Sequence, residues 1–120
     1  AIASTVAHDS HNLILLGDND EDMLVAAEAL RCCGGGYALA QDGKIKGFLP
    51  LPIAGLMTDA QTQEMQKKLQ EVLTIAHTMG IPKDIEPFTT LSFMALPVLP
   101  EIRITDQGLF HSQVMQFIKI

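Results

Sequence analysis

Tyr37-Ala38-Leu39-Ala40-Gln41-Asp42-Gly43-Lys44-Ile45-Lys46-Gly47-Phe48-Leu49-Pro50 is the stretch that decides the fold. Two strand-like runs, Tyr37 to Ala40 and Lys44 to Leu49, flank an Asp-Gly pair. Both turn residues tolerate positive φ, which a tight hairpin turn requires. Pro50 lacks the N–H that a ladder needs, so the second strand stops there. A hairpin therefore sits near the middle of the chain.

Upstream, Ile2 to Ala7 alternates weakly as a strand, and Leu13 to Leu16 is a short apolar run closed by Gly17. Asp18 and Glu21 match a capping box, and Asp20, Glu21 and Asp22 place negative charge where a helix dipole favours it. Met23, Ala27 and Leu30, with Leu24 and Ala26 beside them, form one apolar stripe. Gly34-Gly35-Gly36 ends that helix. Downstream, Leu51-Pro52-Ile53-Ala54-Gly55-Leu56-Met57 is apolar without a period, and its two prolines stiffen it as a loop. Its apolar side chains either fold back on the domain or dock on something else. Thr58 and Gln61 match a second capping box. Met65, Leu69, Val72, Ala76 and Met79 follow at helical spacing up to Gly80, with Pro82 beyond. Glu64 and Lys68 are an i,i+4 pair in the favoured order. Lys83 to Pro87 reads as a turn and Leu91 to Leu96 as an apolar run. Ile102 to Thr105 alternates as a strand, Asp106-Gln107-Gly108 is a turn, and Val114 to Ile120 is a terminal strand. The expected architecture is one α+β domain over 1–120: a mixed β-sheet of about five or six strands with two main helices packed on it, Asp20 to Cys33 and Asp59 to Met79.

The bulk properties exclude several classes. Net charge is −6 and the pI is about 5.0, which disfavours nucleic acid and anionic membranes because both need a basic face. No apolar run approaches a membrane span, and no secretory leader is visible. Cys32 and Cys33 are adjacent, with no second pair to complete a zinc site, and read as reduced thiols of a cytoplasmic protein. Hydrophobic residues make up 48% of the chain and mean hydropathy is +0.22. A domain this small has too little interior for that much apolar surface, so part of it is expected to be covered by a partner or by the rest of a longer chain.

Val6-Ala7-His8-Asp9-Ser10-His11-Asn12-Leu13 holds the densest run of site-type side chains. In an extended strand, His8 and His11 face opposite sides, whereas in a turn they can meet. As a metal site the run lacks further ligands, and His77 and His111 supply no HxxxH or HxH spacing. As a nucleophilic triad His8, Asp9 and Ser10 are too close in sequence, because such members come from separated segments. Two readings survive. One is a polar bend in which Asp9, Ser10 and Asn12 bond local backbone. The other is a set of groups that hydrogen-bond and relay protons in a pocket whose main catalyst lies elsewhere.

Four strings together carry a resemblance: Val6 to Asn12, Gly17-Asp18-Asn19-Asp20-Glu21-Asp22-Met23, Leu49 to Met57, and Thr90-Leu91-Ser92-Phe93-Met94-Ala95-Leu96-Pro97-Val98. In this order, and with the ending Thr105-Asp106-Gln107-Gly108-Leu109-Phe110, the chain resembles the C-terminal domain of bacterial-type adenine deaminases, of the amidohydrolase superfamily. The resemblance implies an enzyme that hydrolyses adenine to hypoxanthine and ammonia with metal-activated water. It implies a catalytic (β/α)₈ barrel earlier in the same polypeptide, holding manganese or iron. This chain is too short to contain that barrel and is expected to bind no metal or other cofactor itself. The family's domain usually begins before the Ala-Ile-Ala-Ser stretch, so the resemblance implies an accessory domain trimmed at its N-terminus and inactive alone. The Leu51 to Met57 loop would pack on the barrel, and the polar run would face its mouth. No residue here is expected to be catalytic; His8, Asp9, His11, Asn12 and Ser92 are the substrate-pocket candidates. Beyond barrel and adenine no partner is implied, though a homo-oligomer is compatible. The competing reading is a stand-alone α+β ligand-binding or protein-interaction module without catalysis.

Overall fold

The structure is a computed structural model and describes residues 1–119. Strands β1 (Ile2–Ser4) and β2 (Ile14–Leu16) precede helix α1 (Asp20–Cys33). The hairpin β3 (Gly36–Gln41) and β4 (Lys44–Pro50) follows, then helices α2 (Thr62–Thr78) and α3 (Pro87–Phe93). Strands β5 (Ile102–Thr105), β6 (Gly108–His111) and β7 (Gln116–Phe117) close the chain. The class is α+β, as the patterning implies. The strands divide between two sheets, of order β2-β1-β3-β4 and β5-β6-β7, and every pairing is antiparallel rather than mixed.

The four-stranded sheet is covered on both faces, and alternation along its strands shows why. Ala3, Ala38 and Ala40 point to one side and pack with Ala26 and Leu30 of α1. Ile2, Leu39 and Leu49 point to the other and pack with Val72 and Ala76 of α2 and Phe88 and Leu91 of α3. Small residues bring α1 close to the sheet, while large ones fill the wider gap beneath α2 and α3. The Asp42-Gly43 turn has φ of 56° and 68°, the positive pair that its sequence calls for.

Helix boundaries differ from the spacing in two places. Asn19, not Asp18, caps α1: its Oδ1 accepts from Asp22 N at 2.8 Å, and its Nδ2 donates to Asp22 Oδ2 at 3.0 Å. Shifting the cap by one residue lets the buried Asp22 carboxylate accept from Gly43 N at 2.7 Å and tie α1 to the β3–β4 turn. Helix α2 starts at Thr62 with no side-chain cap, and Thr58 Oγ1 instead accepts from Ala60 N at 3.1 Å. Helix α3 begins at Pro87, where the spacing predicts only the end of a turn. Proline suits a first helical position, and the Glu86 carboxylate accepts from the Phe88 and Thr89 amides, which have no partner within the helix. At the C-terminus β6 adds a strand the patterning misses, and only Gln116–Phe117 of the expected terminal strand pairs; Ile120 lies outside the described residues.

The Leu51 to Met57 loop folds back on the domain in part. Leu51 and Gly55 are buried, whereas Ile53 and Met57 are exposed. Thr5 latches it: Thr5 Oγ1 donates to Gly55 O at 2.6 Å and accepts from Gly36 N at 2.8 Å. A Cβ on Gly35 would stand 2.5 Å from Gly55 Cα, so the latch closes only over glycine.

Two outcomes test this packing. Phe88 is fully buried and stacks on Tyr37 with ring centroids 4.1 Å apart. Phe88→Ala is expected to cost about 3–5 kcal/mol in urea unfolding, and Leu24→Ala, on the exposed side of α1, within about 0.5 kcal/mol. The Asn19 amide, and then the Gly43 N–H, hold the Asp22 carboxyl below its usual 3.8. A depressed carboxyl stabilises the fold above its unfolded-state pKa, and that contribution is lost as pH falls through the folded value. Asp22→Asn is therefore expected to lower Tm at neutral pH, with the deficit shrinking below about pH 3.8.

Candidate functional site

Strand β1 ends at Ser4, and Ala7 is the last buried residue before the polar run leaves the core. The run then folds as a turn rather than continuing as a strand. His11 N donates to Ala7 O at 2.7 Å, with His11 at φ 55°. His8 N donates to Ser92 O at 3.0 Å, which pins the turn to the end of α3. The turn brings the imidazoles together, with ring centroids 5.8 Å apart and planes tilted by 55°. His8 also stacks on Phe93, centroid to centroid 5.2 Å at 17°. The sequence gives no hint of this stack, because Phe93 lies more than eighty residues away on a helix the pattern does not reveal.

The turn forms one wall of an open cleft of about 870 Å³. Asp9, Ser10 and Asn12 line that wall, and the β5–β6 turn supplies Asp106 and Gln107 opposite. Phe110 and Phe117, packed edge to face with centroids 5.3 Å apart, also line it. Carboxylates and amides beside an aromatic pair give a cleft that can both hydrogen-bond and stack a flat polar group. Of the five sequence candidates, the structure puts Asp9 and Asn12 in the cleft wall. His8 and His11 are exposed on the same turn but outside the lining. Ser92 is elsewhere: it is buried, and its hydroxyl donates to Thr89 O at 2.7 Å. In the sequence Asp106 and Gln107 show only as turn formers. The signal that links them to the site is long-range, since Ile104 N donates to Met94 O at 3.2 Å and so seats β5 beside the turn.

Among the described residues no three His, Cys, Asp or Glu side chains come close enough to share a metal ion. No set of described residues by itself makes up a ligand shell for the divalent ion that the resemblance implies; the groups that the turn and cleft present can hydrogen-bond, stack and exchange protons.

The model of the adenine deaminase C-terminal domain matches residues 1–116. This chain belongs to the adenine deaminase C-terminal domain family. It is 51% identical to an adenine deaminase of Nitratidesulfovibrio vulgaris (strain DP4) over 118 residues, covering 98% of the chain and 20% of that protein. It is 51% identical to an adenine deaminase of Clostridium acetobutylicum over 119 residues, 98% of the chain and 21% of the relative. An adenine deaminase of Leuconostoc mesenteroides is 50% identical over 121 residues, 100% of the chain and 21% of the relative. The chain thus spans about one fifth the length of the curated relatives it matches. In this adenine deaminase C-terminal domain the His turn and its cleft lie at the surface, and His8 to Asn12 stand outside the two hydrophobic clusters that flank the four-stranded sheet.

The placement of Ser92 yields a stability prediction. Ser92→Ala removes the bond to Thr89 O and is expected to cost about 0.5–1.5 kcal/mol. Chemical denaturation of this chain measures it, and the value separates a packing role from a cleft role.

Proposed function

We propose that this chain is the C-terminal accessory domain of a cytoplasmic adenine deaminase. That enzyme hydrolyses adenine to hypoxanthine and ammonia with metal-activated water. Its metal, manganese or iron, and its catalytic barrel belong to another part of the same polypeptide. The observation that carries this reading is the full-length likeness to adenine deaminases of which the chain represents about one fifth.

In this reading the His8–His11 turn faces the mouth of the barrel and helps close and organise the adenine pocket. Support comes from its construction. The turn is held from beneath by Ala7 and Ser92 backbone bonds, while its polar side chains are left exposed. His8 is oriented by Phe93, so the ring is positioned without being buried. Asp9 and Asn12 present an acceptor and an amide on the cleft side, the kinds of group that recognise a purine edge. No helix among the described residues is long and apolar enough to cross a membrane.

The test uses the parent polypeptide. His8→Ala, His11→Ala and Asn12→Ala are each expected to lower kcat/KM for adenine about tenfold or more, the scale of one lost hydrogen bond to a polar substrate edge. Ser92→Ala is expected to leave it nearly unchanged. Unaltered kcat/KM in all three turn variants would remove the turn from the substrate pocket.

A further inference from the structure

Neither hydrophobic cluster of the core contains a residue after Ala95. The β5–β7 sheet therefore stands outside the interior that holds the rest of the domain. Its strands are four, four and two residues long, too little to be stable without a covered face. Apolar side chains of its strands and of the β6–β7 turn are nevertheless left largely uncovered: Ile102, Ile104 and Phe117 in the strands and Val114 and Met115 in the turn are 46–72% exposed. Among the described residues, the two buried side-chain nitrogens without a hydrogen-bond partner, Arg103 Nε and His111 Nδ1, both belong to this sheet. Buried polar groups are rarely left unpaired in a completed structure.

We infer that the β5–β7 sheet is the docking face of the domain, and that its occupant is the catalytic part of the same polypeptide. The inference rests on the adenine deaminase reading and assigns its interface. Two observations select this occupant over a second copy. About four fifths of the relatives' length lies outside the matched region, and a covalently linked partner docks at high effective concentration. The charges from Pro97 to Lys119 balance, Glu101 and Asp106 against Arg103 and Lys119, whereas the chain as a whole carries −6. A neutral apolar patch suits burial against a different surface, while pairing two copies brings two acidic bodies together. The sheet also walls the cleft beside the His turn, so a body seated on it meets Asp9 and Asn12 at the same time.

The experiment is hydrogen exchange on the full-length parent, comparing wild type with Ile104→Asp, Val114→Asp and the control Leu24→Asp, an equally exposed apolar residue on α1. Amides of residues 102–117 are expected to exchange about tenfold faster or more in the first two, as a docked sheet opens locally, and at the wild-type rate in the control. Val114→Ser serves in place of the aspartates if they prevent folding, and a smaller rise confined to the same amides is expected. Wild-type exchange in all sheet variants overturns the inference. So does protection that falls on dilution of the wild type, which marks a second copy as the occupant. Ammonia release from adenine is measured on the same wild-type sample. Its absence refutes the deaminase reading and leaves the exchange result to stand or fall separately.

Discussion

A four-stranded sheet that must be buried on both faces is the constraint on which this domain depends. The two faces are served by one alternation: alanines toward α1, and isoleucine and leucines toward α2 and α3. Strand β1 is the hinge of the arrangement. It lies inside the sheet, between β2 and β3, and all three of its residues are buried. A one-residue slip would turn Ala3 toward the wide gap and Ile2 into the narrow one, so the register is strongly fixed. The residues that directly follow β1 inherit that fixity. Thr5 reaches Gly36 and Gly55, Ala7 takes the last core position, and His8 is the first residue forced out.

The polar turn is thus a consequence of where the core ends. A chain leaving a doubly covered sheet must pass into solvent before it returns as β2, and the turn uses this passage to display side chains. The backbone bonds from His11 to Ala7 and from His8 to Ser92 rigidify it, which suits a group that must be positioned and remain accessible. The turn is there, but it is closed by backbone bonds from His11 to Ala7 and His8 to Ser92 and not by the Asp9, Ser10 and Asn12 side chains that the bend reading relied on; those three line a cleft wall instead.

Much of the fold was legible because its signals are local. The Asp42-Gly43 hairpin, the Met65-to-Met79 stripe and the glycine stop after Cys33 each depend on neighbours within one turn or ladder. What escaped depends on distant partners. The cap on α1 moved to Asn19 because Asp22 has a second acceptor role toward Gly43, twenty-one residues on. Helix α3 is seven residues long, too short for a period to declare itself. The division into two sheets follows from which strand edges meet, which composition does not encode. Of the candidate site, the run His8 to Asn12 was visible as an anomaly of residue type. Phe93 beneath His8 and the opposing Asp106 and Gln107 required the fold to bring them near.

The terminal sheet shares no core with the rest of the domain, and the chain spans about one fifth the length of the adenine deaminases it matches. The most direct measurement is ammonia release from adenine with manganese present, run side by side on residues 1–120 alone and on the parent polypeptide. Release is expected from the parent and none from the isolated domain. Turnover of adenine by residues 1–120 alone would contradict the reading of this chain as an accessory domain.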